Sequence, residues 1–282
     1  MWRGHITDNH MHLDPINGLG VDAAKQFAKA GGTHIIMVGK TARDWGLDGL
    51  RTEDFIDSYQ RTIDFAEKVS RETDAEAFPV VGFHPSEFIG MSSVLGIESA
   101  CRIAQDVAEV LEGLYLERKI YGIGEVGRPH YAVSEELWER SNVIMEDFLS
   151  LSARIGCPLQ LHTEHFDKGK YDELSGMIKR CGNPKKVIKH FSPPMPLTAE
   201  RSGVYPSIVS SKDSILTSIS ESSRFLMETD YIDDSSRPGA VLGPKTVPKR
   251  TLDFLEKGIF TEDDVARIHE DLVEEIYGIE FH

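Results

Sequence analysis

The sequence lacks the long apolar runs that a membrane-spanning helix requires. No uninterrupted hydrophobic segment approaches about 20 residues, and the first eight residues hold no apolar core of a signal peptide. Cysteine is also scarce: the three cysteines, Cys101, Cys157 and Cys181, show no CxxC spacing. A disulfide framework and a thiolate zinc site are therefore not expected. These absences favour a soluble cytoplasmic protein that has no membrane partner.

Positive charge is in short supply as well. The chain has 31 Lys and Arg against 46 Asp and Glu, which gives a formal net charge of -15. This balance argues against a protein that wraps nucleic acid by general electrostatic attraction. A phosphate-bearing substrate, either a small molecule or the end of a nucleic acid, would have to be held locally. The sequence leaves the oligomeric state open.

The dominant pattern in the chain is an alternation of short apolar runs with longer segments of helical periodicity. This alternation predicts a parallel sheet joined by crossover helices. Eight such runs in 282 residues suit one α/β domain, a closed (β/α)8 TIM barrel over residues 1–282. The predicted strands are residues 6–10, 33–38, 78–84, 120–125, 158–161, 186–191, 206–209 and 225–229.

Apolar residues at three- and four-residue intervals predict the outer helices. The clearest segments are residues 53–71, 97–117 and 135–154. A terminal helix through Val265, Ile268, Leu272 and Ile276 follows a capping segment that begins at Thr261. Two long polar loops, residues 39–52 and 235–247, are expected to line the mouth of the barrel.

Histidines and carboxylates recur where the predicted strands end, which is the face on which barrel enzymes place their active sites. Residues two apart in an extended segment point to the same side, so the histidines of the His-Met-His segment can share one metal ion. Imidazole nitrogens together with carboxylate oxygens suit zinc, manganese or similar divalent ions. The six candidate ligands, enough for one or two ions, are His10, His12, Glu125, His162, His190 and Asp230.

Each candidate ligand also has a structural explanation when it is taken alone. A His-x-His segment is a weak motif, and an acidic residue at a strand end is commonly a helix cap. Six such residues at the ends of five separate predicted strands are harder to explain by packing. The combination therefore predicts a metal site.

Taken in order, the motifs resemble those of the TatD-related metal-dependent hydrolases, a branch of the amidohydrolase superfamily. The resemblance extends over nearly the whole chain and is carried by the segments ITDNHMHLD from Ile6, VGFHP from Val81, IGEVG from Ile123, LH at 161–162, HF at 190–191 and ETD from Glu228. It implies a barrel with up to two metals, magnesium or zinc, and a nuclease activity that in some members removes nucleotides from DNA 3′ ends.

The resemblance also implies how the ligands are divided. His10, His12 and Asp230 would serve one metal, His162 and His190 would serve the other, and Glu125 would bridge the two. His84 would lie close to the substrate, although it can equally be read as a helix-capping residue before Pro85.

The chain departs from the family pattern where substrate would be chosen. After Glu125 the family usually continues Gly-Leu-Asp, whereas this chain has Gly127-Arg128-Pro129-His130. Two residues after His162 the family often has an arginine, and here Glu164 takes that place. Arg128 is a candidate oxyanion contact that could compensate for this exchange. A second group of candidate phosphate contacts, which could also be a solvated charge run, consists of Lys245, Lys249 and Arg250.

Three hypotheses about function follow from these residues. In the first, a metal-activated water attacks a phosphodiester, with Asp230 as the base and His84 near the developing negative charge. In the second, the same ligands hydrolyse an amide, lactone or ester of a small molecule. In the third, the barrel binds metal or a partner without catalysis, although the intact Asp230 argues against this reading. Fold alone does not decide between them.

Overall fold

The computed structural model describes residues 2–281, and its strands and helices alternate along the chain. The strands are β1 (Thr7–His12), β2 (His34–Val38), β3 (Glu76–Val81), β4 (Gly122–Gly127), β5 (Leu159–His162), β6 (Val187–Lys189), β7 (Tyr205–Val209), β8 (Leu226–Glu228) and β9 (Tyr231–Ile232). The helices are α1 (Val21–Lys29), α2 (Thr52–Glu72), α3 (Pro85–Leu95), α4 (Ile97–Leu116), α5 (Glu135–Ile155), α6 (Lys168–Cys181), α7 (Pro196–Arg201), α8 (Lys212–Glu221), α9 (Thr246–Glu256), α10 (Glu262–Ala266) and α11 (Leu272–Tyr277).

The sheet is parallel and curls on itself. Strands β1 to β8 pair in sequence order, and β9 adds a short parallel pairing on the free side of β1. Helices cover the outside of this sheet, as the alternation predicts, because each crossover must bury an apolar face against the strands. The predicted (β/α)8 barrel is confirmed.

Asp8 joins the two ends of the eight-stranded sheet. Its carboxylate is fully buried and accepts hydrogen bonds from the backbone N of Thr229 at 3.1 Å and from the Thr229 hydroxyl at 2.7 Å. The backbone N of Asp230 donates to the carbonyl O of His10 at 3.0 Å. Together these bonds bring the ends of β1 and β8 side by side. Burial raises the pKa of Asp8 to about 7.

Two elements depart from the sequence-based expectation. Helix α3 was not predicted, because Gly90 and several serines interrupt the apolar spacing of its segment. The terminal helix was predicted correctly in place and cap, since Thr261 and Asp264 form a capping box. Its middle, Arg267–Asp271, is a π-helical turn that links α10 to α11.

No helix within residues 2–281 combines the length and the apolar character that crossing a membrane requires.

The π-helical turn buries His269 at the bottom of the barrel, far along the chain from the candidate ligands. Its Nδ1 lies 3.0 Å from the carbonyl O of Thr7 and 3.2 Å from the backbone N of the same residue, and its Nε2 lies 2.8 Å from the hydroxyl of Thr251. A neutral ring satisfies these contacts, because one ring nitrogen can donate while the other accepts. Burial lowers the pKa of His269 to about 4.

We expect this histidine to make the fold sensitive to acid. Its pKa is lower in the folded state than the roughly 6.5 of an unfolded histidine, so its contribution to stability is present above pH 6.5 and is lost as the pH falls towards 4. Between pH 7 and pH 5 the loss amounts to roughly 2 kcal/mol of unfolding free energy. Urea titrations of the metal-free protein and of His269→Gln at both pH values measure it. An equal pH dependence in the two proteins would contradict the prediction.

Candidate active site

The six candidate ligands converge at the carboxyl ends of the strands. His10 and His12 lie on β1, Glu125 on β4, and His162 ends β5. His190 follows β6 directly, and Asp230 lies two residues after the end of β8. Parallel strands deliver their carboxyl ends to one face of a barrel, and this explains how residues 220 positions apart come into contact. The other residues that line the surrounding cavity come from the loops at the same face and from the ends of β6 and β9.

His10 and His12 face each other through their Nε2 atoms at 3.0 Å. Each ring is fixed by its other nitrogen: His10 Nδ1 lies 2.7 Å from Gln160 Oε1, and His12 Nδ1 lies 3.1 Å from the carbonyl O of Val38. Because both of these partners can only accept, both Nδ1 atoms carry the hydrogen. The two Nε2 atoms therefore face each other, and either a proton on His10 or a metal ion between the rings removes the repulsion that two neutral lone pairs would have.

Two carboxylate oxygens complete this first group of ligand atoms. Glu125 Oε2 lies 3.7 Å from His10 Nε2 and 3.5 Å from His12 Nε2. Asp230 Oδ1 lies 3.9 Å from His10 Nε2 and 3.7 Å from His12 Nε2. Two ligands that each lie about 2.0–2.2 Å from a shared zinc ion are roughly 3–4 Å apart. The four atoms are thus spaced as a metal ion would need them.

The second group of ligand atoms surrounds the other oxygen of Glu125. His162 Nδ1 lies 2.6 Å from Glu125 Oε1, and His190 Nε2 lies 3.2 Å from the same oxygen. His190 Nδ1 is held at 3.2 Å by Glu228 Oε1, a fully buried carboxylate that also accepts from the backbone N of Phe191. A carboxylate on the far nitrogen of a ligating histidine is a usual way to orient such a ring.

The electrostatics of the cluster favour a bound cation. Burial opposes the protonation of His10, yet the charges of Glu125, Glu228 and Asp230 outweigh it and raise the pKa of His10 to about 10. Burial and the nearby His10 lower the pKa of His12 to about 3. These carboxylates keep a proton on a completely buried imidazole, which shows that the cluster without that proton carries excess negative charge. A divalent ion would supply the missing positive charge.

His84 caps helix α3 and also faces the cluster. Its Nδ1 accepts from the backbone N of Ser86 at 3.1 Å, and its ring centre lies 4.4 Å from that of His162. The capping interpretation of the sequence is thus confirmed, and the same side chain lines the cavity. Ligand atoms of His84, Glu125 and His162 all lie within 4.8 Å of one another, as do those of His10, His12 and Asp230.

Asp230 is held in an unusual backbone conformation. Its φ is +47°, in the left-handed region that aspartate and asparagine tolerate better than most residues. Burial raises the pKa of its carboxyl to about 8. The side chain points into a cavity of about 480 Å³ that is lined by His12, His84, Glu125, His130, His162, Thr163, Glu164, His165, Lys189, His190, Phe191, Asp230 and Ile232.

The candidate substrate contacts do not join this cavity. The guanidinium of Arg128 is buried at 1% exposure, and it forms a fork with Glu164 at 2.7 and 2.8 Å and donates to Glu173 at 2.6 Å. Lys245 and Lys249 are exposed at the start of α9, and Arg250 lies over the ring of Phe254. None of these four residues lines the cavity.

The structure brings in four residues that the sequence reasoning did not select. Gln160 and Glu228 fix the rings of His10 and His190, and Lys189 and His130 line the cavity. Glu228 stands two residues before Asp230, so its proximity was readable from the sequence. Gln160 and Lys189 gave no such signal because they lie inside apolar strands. His130 was visible only as a departure from the family pattern.

The chain is thus a (β/α)8 barrel whose strand ends carry four histidines and two carboxylates, in groups that could hold a metal ion. The chain belongs to the family of TatD-related DNases, whose model matches residues 7–278. Members of this family are hydrolases, and the match supports a hydrolase here.

An uncharacterized protein of Methanocaldococcus jannaschii is 39% identical over 278 residues, which cover 98% of this chain and 96% of that protein. Two solved TatD proteins share the fold. The TatD homologue YjjV of Escherichia coli has a TM-score of 0.65 at 18% identity and covers 98% of both chains. A TatD family hydrolase of Entamoeba histolytica has a TM-score of 0.63 at 11% identity, with 99% of this chain and 100% of that chain covered.

An organophosphorus hydrolase variant of Deinococcus radiodurans also shares the fold. Its TM-score is 0.63 at 13% identity, and the match covers 98% of this chain and 92% of that chain.

Proposed function

We propose that this protein is a divalent-metal-dependent hydrolase that acts on phosphoester bonds. The observation that carries the proposal is the pair of facing Nε2 atoms of His10 and His12, 3.0 Å apart, with carboxylate oxygens of Glu125 and Asp230 within 3.9 Å. In the metal-free protein a proton on His10 can bridge the two nitrogens. When both rings are neutral, as a metal site requires, their lone pairs converge on the position of a shared cation.

One or two ions of zinc, manganese or magnesium fit the donors. His10, His12 and Asp230 would hold the first ion, His162 and His190 the second, and Glu125 would offer one oxygen to each. The nitrogen-rich set favours zinc or manganese over magnesium. A histidine binds a metal through the lone pair of a neutral imidazole. The hydrogen bonds made by Nδ1 of His10 and Nδ1 of His12 leave the Nε2 atom of each ring available to the ion.

The chemistry that a metal supplies when bound is a water of lowered pKa and a partner for the charge on the scissile group. The chain's own residues would do the rest. The Asp230 carboxylate would accept a proton from the attacking water and orient it along the hydrogen bond. His84, which also lines the cavity, would donate to an oxygen that gains negative charge. The oxygen partners of His10, His12 and His190 and the imidazole partner of His162 keep the four rings in place throughout.

Lys189 favours an anionic substrate. This buried residue lines the cavity, and its ammonium lies 5.3 Å from the ring centre of Phe166 and donates to the carbonyl O of His190. This hydrogen bond uses one of the three N–H donors of the Lys189 ammonium, which forms no other hydrogen bond within residues 2–281. With Arg128 committed to Glu164 and Glu173, Lys189 is the one lysine or arginine among the residues lining the cavity.

Replacing Lys189 with methionine tests this assignment. We expect kcat/KM for a phosphodiester to fall by about 10- to 100-fold, because a charged hydrogen bond is worth about 1.5–3 kcal/mol, whereas a neutral carboxylic ester should lose less than threefold. Lys168→Met, which removes an exposed lysine at the start of α6, is the matched control and should change neither rate. An equal loss on both substrates would show that Lys189 acts through packing.

The metal itself is tested first by elemental mass spectrometry of protein purified without chelator. We expect one to two equivalents of a transition metal in the wild type, and a clear reduction in the His10→Ala/His12→Ala double variant. If nothing is bound, titration with zinc, manganese and magnesium follows. Failure of every titration would remove the proposed function and leave only the barrel.

Substrate class is tested with the metal-loaded enzyme on three groups of compounds: phosphodiesters including single-stranded DNA with a free 3′ end, phosphomonoesters, and carboxylic esters, lactones and amides. Activity confined to phosphoesters supports the proposal. A preference for DNA over a small chromogenic phosphodiester would narrow it to a nuclease.

A small-molecule carboxylic ester or lactone hydrolase is the second candidate. The cavity of about 480 Å³ suits a compact substrate, and Phe191, which is 47% exposed, together with Ile232 offers it an apolar wall. Turnover of lactones or esters with no phosphoester activity would establish this alternative.

A further inference from the structure

The segment that follows β4 contacts the end of β5 at three points. The backbone N of Arg128 donates to the carbonyl O of His162 at 3.0 Å, and the Arg128 guanidinium binds Glu164. The third contact joins two rings: His130 Nδ1 lies 2.8 Å from His162 Nε2. All three contacts fix the strand end that presents His162 to Glu125.

Each of the four candidate ligand histidines has a partner on the nitrogen that faces away from the cluster. For His10 the partner is an amide oxygen, for His12 a backbone carbonyl and for His190 a carboxylate. For His162 it is the imidazole of His130. This last partner differs from the others because it can either donate or accept a hydrogen bond, according to its tautomer.

That difference matters because His162 needs two hydrogen-bonding states. While its Nδ1 donates to Glu125 Oε1, 2.6 Å away, its Nε2 carries a lone pair and needs a donor. Once Nδ1 gives its lone pair to a metal ion, the hydrogen must sit on Nε2, which then needs an acceptor. A carbonyl or a carboxylate could serve only the second state. The imidazole of His130 serves both, by changing the nitrogen that carries its own hydrogen.

We propose that His130 is a positioning residue for the second metal site, which keeps His162 oriented in both the metal-free and the metal-bound protein. The inference rests on the proposed function, since it requires that His162 bind a metal. Among residues 2–281, the groups of side chains close enough to share a metal ion do not include His130, whose Nδ1 is directed at His162. Its role is to make Nδ1 of His162 available to the ion.

The test is a metal titration of the metal-free protein by isothermal calorimetry, with Mn²⁺ as the ion, supported by electron paramagnetic resonance of the spin-coupled manganese pair. In His130→Leu we expect the affinity of the second site to fall by 10- to 100-fold, as is usual when an outer partner of a ligating histidine is lost. The signal of the coupled pair should give way to that of a single ion. The first site should be unchanged.

Two further variants separate positioning from packing. Asparagine at this position keeps a group that can donate or accept, so His130→Asn should retain most of the second-site affinity. His165→Leu removes another exposed histidine of the same cavity wall and should leave the titration unchanged. If His130→Leu binds two ions as the wild type does, or if His130→Asn fails as completely as His130→Leu, the inference is wrong.

The same titrations distinguish the two proposals. A wild-type protein that binds no ion removes the proposed function together with this inference. A wild-type protein that binds two ions, and whose second site is insensitive to His130→Leu, removes the inference alone.

Discussion

Asp230→Asn is expected to lower kcat by about 10²- to 10⁴-fold, the usual contribution of a general base, while metal binding persists. The amide oxygen can still approach an ion at the first site, but the amide cannot take a proton from water. Asparagine is the informative replacement because it accepts the φ of +47° at this position, which alanine would adopt only with strain. Steady-state kinetics and metal content of the same preparation measure both effects.

The control for this prediction lies in the following loop. Asp234 is partly exposed, and its carboxylate accepts hydrogen bonds from the backbone N and the hydroxyl of Ser236. Asp234→Asn should therefore keep the wild-type kcat. An Asp230→Asn variant with full metal content and undiminished kcat would remove Asp230 as the base. A variant that loses its metal instead would show that its charge is needed chiefly for binding the ion.

Arg128→Met is expected to destabilise the fold by about 3 kcal/mol, the lower end of the range for removing one partner of a buried ion pair. The guanidinium is 1% exposed and makes four side-chain hydrogen bonds, to Glu164, Glu173 and Asn142. The loss falls at the lower end because Glu173 is 38% exposed on its side chain, and water can solvate the charge that is left. Urea denaturation with the metal removed measures the change.

Two companions make this prediction specific. Arg128→Met/Glu164→Gln should recover part of the loss, because it removes one of the carboxylates left without a partner. Arg102→Met, at an exposed arginine of α4, should stay within about 0.5 kcal/mol of the wild type. Equal stability of wild type and Arg128→Met would show that the ion pairs contribute nothing net.

The Arg128 contacts also change how the acidic residue beside the cavity is understood. From the sequence, Glu164 replaces a family arginine with a negative charge, which argues against an anionic substrate. In the structure both oxygens of Glu164 accept from the guanidinium of Arg128, and Lys170 lies 3.1 Å away. Its charge is therefore balanced locally. Because the Arg128 guanidinium binds these carboxylates, it is unavailable to substrate. Lys189 is then the one lysine or arginine among the residues that line the cavity.

Much of the fold was predictable from local patterns. Apolar runs followed by amphipathic segments predicted the eight strands of the barrel and the three longest helices, since burying one face of each element requires that spacing in any barrel. Helix α3 was missed because its apolar residues do not follow a clear period. The single-domain boundary over residues 1–282 and the cytoplasmic location stay predictions.

The convergence of the six candidate ligands follows from the sequence once a barrel is assumed. Each residue stands at a strand end, and the carboxyl ends of parallel strands meet on one face, so His10 and Asp230 need no further information to be placed together. Their assignment to metal remains a proposal that the facing nitrogens support.

The sequence by itself determined the architecture and the cluster, because both depend on the order of residues along strands. Only the tertiary structure decided the partners of long, flexible side chains. The sequence is compatible with an Arg128 side chain that reaches the cavity and with one that turns away from it. In the folded chain the guanidinium binds Glu173, 45 positions along the chain. The pairing of His130 with His162, and the burial of Lys189 at the cavity, were settled in the same way: by which neighbours the folded chain places within hydrogen-bonding distance.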